Sequence, residues 1–183
     1  MTNLLLVIGS ARTGRVADKV LSYIQEDIAS RENVTATVAD LKEVALPFFD
    51  NELTPSTPEY TPTNEAVLAW SKLVKEADAV VFITPEYNHD LSAIQKNAID
   101  TLFAEWNEKP VTAVAYGWSG GSLAVVTLRE VLENLKADTK HSIAQLGFMK
   151  DLNPDGSILD EASVKAQIAT ALEEILAKEP QLV

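Results

Sequence analysis

Apolar and polar positions alternate along this chain in two registers. Short apolar-rich runs stand at Leu4–Ile8, Val34–Ala39, Ala79–Ile83, Val111–Tyr116 and Ser142–Leu146. Runs of this length, rich in β-branched residues, suit strands covered on both faces. Longer stretches between them carry apolar residues at helical spacing: Val16–Ser30, Asn64–Glu76, Leu91–Glu105, Leu123–Leu135 and Glu161–Lys178. A strand followed by a helix, repeated, predicts a parallel sheet with helices on both faces.

Five such units in 183 residues match an α/β, flavodoxin-like three-layer sandwich with strand order 2-1-3-4-5. The length suits one domain over residues 1–183. The longest irregular stretch is Ala45–Thr63, with Pro47, Pro55, Pro58 and Pro62. A long proline-rich loop in a compact domain often serves as a lid or an interface. No repeat or linker interrupts the pattern.

Composition narrows the function. The formal net charge of −12 argues against nucleic acid and anionic membranes, which need a basic face. With no cysteine in the sequence, disulfides, thiolate catalysis and cysteine-ligated metals are excluded. The two histidines, His89 and His141, are too few and too far apart in sequence to suggest a metal site. Residues 1–9 lack a basic leader and read as a first strand, not a signal peptide. No apolar run approaches a membrane-spanning length, so a cytoplasmic protein is expected.

Ligands bind open α/β sheets at the carboxyl ends of the strands, so three loops carry the candidate chemistry. The first is Gly9-Ser10-Ala11-Arg12-Thr13-Gly14-Arg15. N–H groups at a helix N-terminus hold phosphate. Ser10 and Thr13 add hydroxyls, and Arg12 and Arg15 add charge-assisted donors. Two arginines in an acidic chain favour an anion site over a plain turn. The spacing brushes the P-loop pattern but has Arg15 for lysine and Val16 where a magnesium-binding hydroxyl belongs.

The second loop is Pro85-Glu86-Tyr87-Asn88-His89. Pro85 fixes the turn and lacks an N–H, which would leave the N–H groups of residues 86–88 to face a planar ligand. Tyr87 offers a flat face for stacking. A flavin ring needs these features; a strand–helix turn with a buried tyrosine has them too. The third loop is Tyr116-Gly117-Trp118-Ser119-Gly120-Gly121-Ser122, where glycines allow close approach to a ligand. It also matches G-x-S-x-G, and Asp138 and His141 follow in hydrolase order. A serine hydrolase using Ser119, Asp138 and His141 is therefore a competing reading. Against it, Asp138 and His141 lie close together near a strand start.

Taken together, these loops resemble the NAD(P)H-dependent FMN reductase family of quinone, chromate and azo-dye reductases. The resemblance rests on Gly9-Ser10-Ala11-Arg12, Asp40-Leu41, Leu46-Pro47-Phe48-Phe49-Asp50 and Pro85-Glu86-Tyr87-Asn88-His89. Lys96-Asn97-Ala98-Ile99-Asp100, Lys109-Pro110 and Tyr116-Gly117-x-x-Gly120-Gly121 extend it over nearly the whole chain. It implies FMN as cofactor, NADPH or NADH as electron donor, and a small acceptor such as a quinone or azo compound. It also implies a homodimer or homotetramer with FMN near the subunit interface. Ser10, Arg12 and Arg15 would hold the phosphate. Pro85, Glu86, Tyr87 and Asn88 would line one edge of the ring, and Gly117, Ser119, Gly120 and Gly121 the other. The flavin carries the chemistry, so no catalytic acid or base is expected. A non-catalytic electron carrier would share these features.

The chain departs from the family pattern after His89. Where Ser-x-Pro-Gly is usual, it has Asp90-Leu91-Ser92-Ala93. Asp90 adds negative charge beside the expected ring site, which disfavours anionic acceptors. Ser122-Leu123 stands where an arginine is often found after the glycine pair.

Overall fold

The computed structural model describes residues 1–177. Five parallel strands, β1 (Thr2–Ile8), β2 (Val34–Asp40), β3 (Ala79–Pro85), β4 (Val111–Gly117) and β5 (Ala144–Gly147), form one sheet in the order β2-β1-β3-β4-β5. The expected flavodoxin-like order is the observed one. Helices α1 (Ala17–Ala29) and α6 (Glu161–Leu176) cover one face. The other carries α2 (Leu41–Val44), α3 (Glu65–Glu76), α4 (Ala93–Asp100) and α5 (Ser122–Asn134).

Side-chain alternation builds two cores from one sheet. Leu4, Leu6 and Ile8 pack with Val20, Ile24 and Ile168 on the α1 side. Leu5 and Val7 pack with Trp70, Val74 and Trp106 on the other. All seven residues of β3 and of β4 are buried, which is why those runs lack polar alternation. Each fully buried aliphatic side chain contributes on the order of 1.5–3 kcal/mol.

Beyond shifts of a residue or two at element ends, two boundaries differ from the sequence pattern and one helix is added. The helix expected over Leu91–Glu105 stops at Asp100. Its terminal carbonyls are taken by side chains: Trp70 Nε1 donates to Ala98 O at 2.8 Å and Trp106 Nε1 to Ile99 O at 3.1 Å. Leu102 and Trp106 keep helical spacing and are buried while lying outside any helix. The last strand begins at Ala144 and not Ser142, because Glu174 of α6 accepts both the N–H and the hydroxyl of Ser142, at 2.6 and 2.7 Å. Helix α2 is an addition, started by Asp40, whose Oδ1 accepts from Lys42 N at 3.0 Å. The last helix runs as expected from Glu161; Lys178, its expected end, lies outside the described residues.

The order places β1 between β2 and β3, so the chain's direction of winding switches between β1 and β3. The loops after those two strands open a crevice there. Asn97 of α4 pins the long proline-rich loop beside it, donating to Pro47 O at 2.9 Å and accepting from Phe49 N at 3.0 Å. Lys96 makes a local pair with Asp100 at 2.6 Å.

Candidate active site

A cavity of about 540 Å³ opens at the carboxyl ends of β1, β3 and β4. Ser10, Arg12, Arg15, Pro85, Glu86, Tyr87, Asn88, Gly117 and Ser119 all line it. Gly120 and Gly121 do not; they stand behind the wall. A Cβ on Gly121 would come within 2.8 Å of Ala115 Cβ and 3.0 Å of Tyr116 N, and the backbone there is left-handed with φ 76°. Glycine at that position lets α5 start directly against β4.

Arg15 lines the cavity, but its guanidinium is fully engaged. Nε donates to Asp18 Oδ1 at 2.9 Å and Nη1 to Ser10 O at 2.6 Å. A bidentate pair with Asp40 at 2.8 and 2.5 Å completes it, with Nη2 also 2.8 Å from Asp18. The bonded Arg15 guanidinium holds the Asp40 carboxyl below its ordinary range. Arg12 is exposed on the same loop and has no hydrogen-bond or ion-pair partner among the described residues. The two arginines thus have different tasks: Arg15 ties the loop to β2, and Arg12 is available to an anion.

The loop after β3 makes a reverse turn. Asn88 and His89 adopt left-handed φ values of 50° and 67°. Tyr87 N donates to Asp90 O at 2.9 Å, and Asp90 N to Tyr87 O at 3.0 Å. Glu86 N donates to Tyr116 O at 3.2 Å. The expectation of free N–H groups over residues 86–88 therefore fails at 86 and 87. Consecutive left-handed residues close a two-residue turn, and asparagine tolerates that conformation. Asp90 turns its carboxylate onto Leu91 N at 2.6 Å and is absent from the cavity lining.

Glu86 joins two loops. Its carboxylate accepts from Ser119 Oγ at 3.1 Å and from Leu123 N at 3.0 Å. Helix α5 has no side-chain cap of its own at Gly121, so Glu86 satisfies its first turn from another element. His89 Nδ1 lies 3.7 Å from Glu86.

The cavity's remaining walls include Phe148 and Pro154, which lie outside the three loops that the sequence singles out. Tyr116, Trp118 and Phe148 line it together with Pro154. Phe148 meets Trp118 edge-on at 5.6 Å and Tyr116 at 6.3 Å. Burial pushes the Tyr116 phenol above its ordinary value, so it stays a neutral donor. Phe148 and Pro154 belong to the segment after β5, which folds around the buried Asp151. That carboxylate accepts from Gly147 N at 2.9 Å and Ser163 Oγ at 2.6 Å. A large apolar residue directly after the strand-ending Gly147 was the available signal.

The hydrolase reading does not survive. Asp138 bridges Pro110 before β4 begins, whereas Ser119 follows its end. At roughly 3.3 Å per residue, β4 separates them by about 20 Å. Ser119 Oγ donates to Glu86, and His141 Nε2 lies 3.5 Å from Asp138 at the far end of the sheet.

The residues fit a flavin mononucleotide. The volume lies within the roughly 300–1,000 Å³ of small-molecule sites. Arg12 and Ser10 line the cavity, and the Ser10 N–H has no acceptor among the described residues. Aromatic rings wall the same cavity.

Comparison with known proteins agrees. Residues 2–146 match the family described as NADPH-dependent FMN reductase. The chain is 35% identical over 182 residues to the NAD(P)H-dependent FMN reductase LOT6 of Saccharomyces cerevisiae, covering 93% of this chain and 91% of that one. It is 37% identical to an NADPH azoreductase of Bacillus sp. over 54% of each chain. The solved flavoenzyme NAD(P)H:(acceptor) oxidoreductase FerB of Paracoccus denitrificans shares the fold, with TM-score 0.75 and 23% identity over 96% of this chain and 97% of that one. The chain belongs to the NADPH-dependent FMN reductase family. It is accordingly an FMN-dependent oxidoreductase with NAD(P)H as electron donor, which sets aside the non-catalytic carrier.

Proposed function

We propose that the cavity at the carboxyl ends of β1, β3 and β4 binds one FMN per chain and reduces quinone, azo or similar small acceptors. The observation that carries this is the convergence on a single cavity of Arg12, which has no partner among the described residues, the Ser10 loop and an aromatic wall. In this reading Arg12 and Ser10 hold the phosphate. Pro85, Glu86, Tyr87 and Asn88 border one edge of the ring, and Gly117 and Ser119 the other. Bound FMN supplies the hydride chemistry; the protein supplies orientation and electrostatics. Tyr87 shapes the face that the nicotinamide and the acceptor share. One face serving both partners in turn implies ping-pong kinetics, with parallel double-reciprocal lines in a two-substrate matrix of initial rates. Intersecting lines would require both substrates to be bound together.

The azo acceptor is supported by the azoreductase relative. Trp118 at 74% exposed and Phe48 at 76%, with Leu123 and Val126 exposed along α5, support a homodimer or homotetramer formed beside the cavity. Among the described residues no helix is long and apolar enough to cross a membrane; with the acidic charge this supports a cytoplasmic enzyme. Titration of the apoprotein with FMN, followed by flavin fluorescence, tests the assignment. Saturable binding at micromolar FMN supports it, and absence of binding overturns it.

A further inference from the structure

Planar trans peptides point each carbonyl opposite to the N–H that follows it, and no cis peptide occurs among the described residues. The direction of two N–H groups at the phosphate end can therefore be read from their carbonyls. Gly9 O accepts from the Ser92 hydroxyl, so Ser10 N–H points away from the start of α4. Ser10 O accepts from Arg15 Nη1 at 2.6 Å, so Ala11 N–H points away from Arg15. Neither N–H has an acceptor among the described residues, and Ser10 is 1% exposed. A buried N–H without an acceptor is costly, so the Ser10 N–H points to an acceptor that arrives with a ligand, with the half-buried Ala11 N–H next to it in the chain.

Both carbonyl anchors are held in turn. Arg15 has five N–H groups, which reach Ser10 O, Asp40 and Asp18. None is left for an anion, and two carboxylates beside the guanidinium would repel one. Ser92 caps α4, its Oγ accepting from Gln95 N at 3.3 Å. Gln95 is fully buried beneath Gly9, where a Cβ would meet its Oε1 at 2.0 Å. Its amide donates to Thr84 Oγ1 of β3 at 3.1 Å. Glycine at position 9 lets the loop root sit directly on this polar cluster.

We propose that Arg15 and Ser92 are positioning residues that aim the N–H groups of Ser10 and Ala11 at the phosphate of FMN. The inference rests on the FMN reading above and assigns Arg15 a task different from that of Arg12. Asp40, which clamps Arg15, supplies the discriminating variant.

The experiment titrates wild-type, Asp40→Asn, Ser92→Ala and Ser92→Thr apoproteins with FMN and with riboflavin, which lacks the phosphate. By charge alone, Asp40→Asn removes a negative group near an anion site and strengthens FMN binding. Positioning requires the opposite sign. FMN affinity should fall roughly fivefold to tenfold, the scale of one hydrogen bond, while riboflavin stays within about twofold. Ser92→Ala should show the same selective loss, and Ser92→Thr should recover it. Unchanged or tighter FMN binding by Asp40→Asn overturns the proposal, as does an equal loss for both ligands. If Asp40→Asn does not fold, Ser92→Ala decides by the same ratio. A wild-type protein that binds no FMN would defeat the FMN reading itself, a result distinct from these.

Discussion

The hydroxyls of Ser10 and Tyr87 lie 2.7 Å apart and share a hydrogen bond across 77 positions of sequence. The bond ties the loop after β1 to the loop after β3, the two that flank the switch in the sheet. Tyr87→Phe removes the bond and keeps the ring. It should weaken FMN binding by about 0.5–1.5 kcal/mol, the net value of one hydrogen bond. Tyr87→Ala also removes the ring and should raise the KM for the acceptor. FMN titrations and steady-state kinetics on both variants check this; an acceptor KM unchanged in Tyr87→Ala would place the ring away from the shared face.

Arg12 lines the cavity and has no hydrogen-bond or ion-pair partner among the described residues. Arg12→Ala should weaken FMN binding by about 1.5–3 kcal/mol, the scale of a charge-assisted bond. Riboflavin binding should change far less. Parallel titrations decide it, and equal losses would mean that Arg12 does not touch phosphate.

Glu86 acts on stability through α5. Glu86→Ala strips the acceptor from Leu123 N and Ser119 Oγ, so it should cost about 0.5–2 kcal/mol, the value of a helix cap. For a chain of this size that lowers Tm by roughly 2–4 °C per kcal/mol. Glu86→Gln keeps an acceptor oxygen and should recover much of the loss. Thermal unfolding of the apoproteins measures both, and an unshifted Tm in Glu86→Ala would contradict the capping role.

Asp40 makes stability depend on acid. Its folded pKa lies below the ordinary value of 3.8 because Arg15 bonds the ionised form. A depressed carboxyl contributes stability that is complete above its unfolded pKa and is lost as pH falls through the folded one. Wild type should therefore exceed Asp40→Asn in stability near neutral pH, and the gap should close below about pH 4. Denaturant unfolding across that range tests the sign. A gap that persists in acid would show that the Asp40–Arg15 pair does not cause it.

The layers of the fold were legible because β3 and β4 are buried on both faces and the helices on one. The cavity's loops were legible from glycines and proline after strands. What escaped depended on contacts distant in sequence. The pairing of Arg15 was not legible because Asp40, its clamp, lies 25 residues away at the end of β2. The helix after Ser92 looked longer because Trp106 keeps helical spacing while its indole closes the helix end. The Phe148 wall depends on Asp151, a buried carboxylate that local composition assigns to a solvated loop.

The central claim is that this cavity holds an FMN which NAD(P)H reduces and a small acceptor reoxidises. Anaerobic addition of NAD(P)H to the FMN-loaded protein, followed by visible flavin absorbance, tests it most directly. The absorbance should bleach, and return on addition of a quinone. Flavin that stays oxidised with NAD(P)H in excess would contradict it.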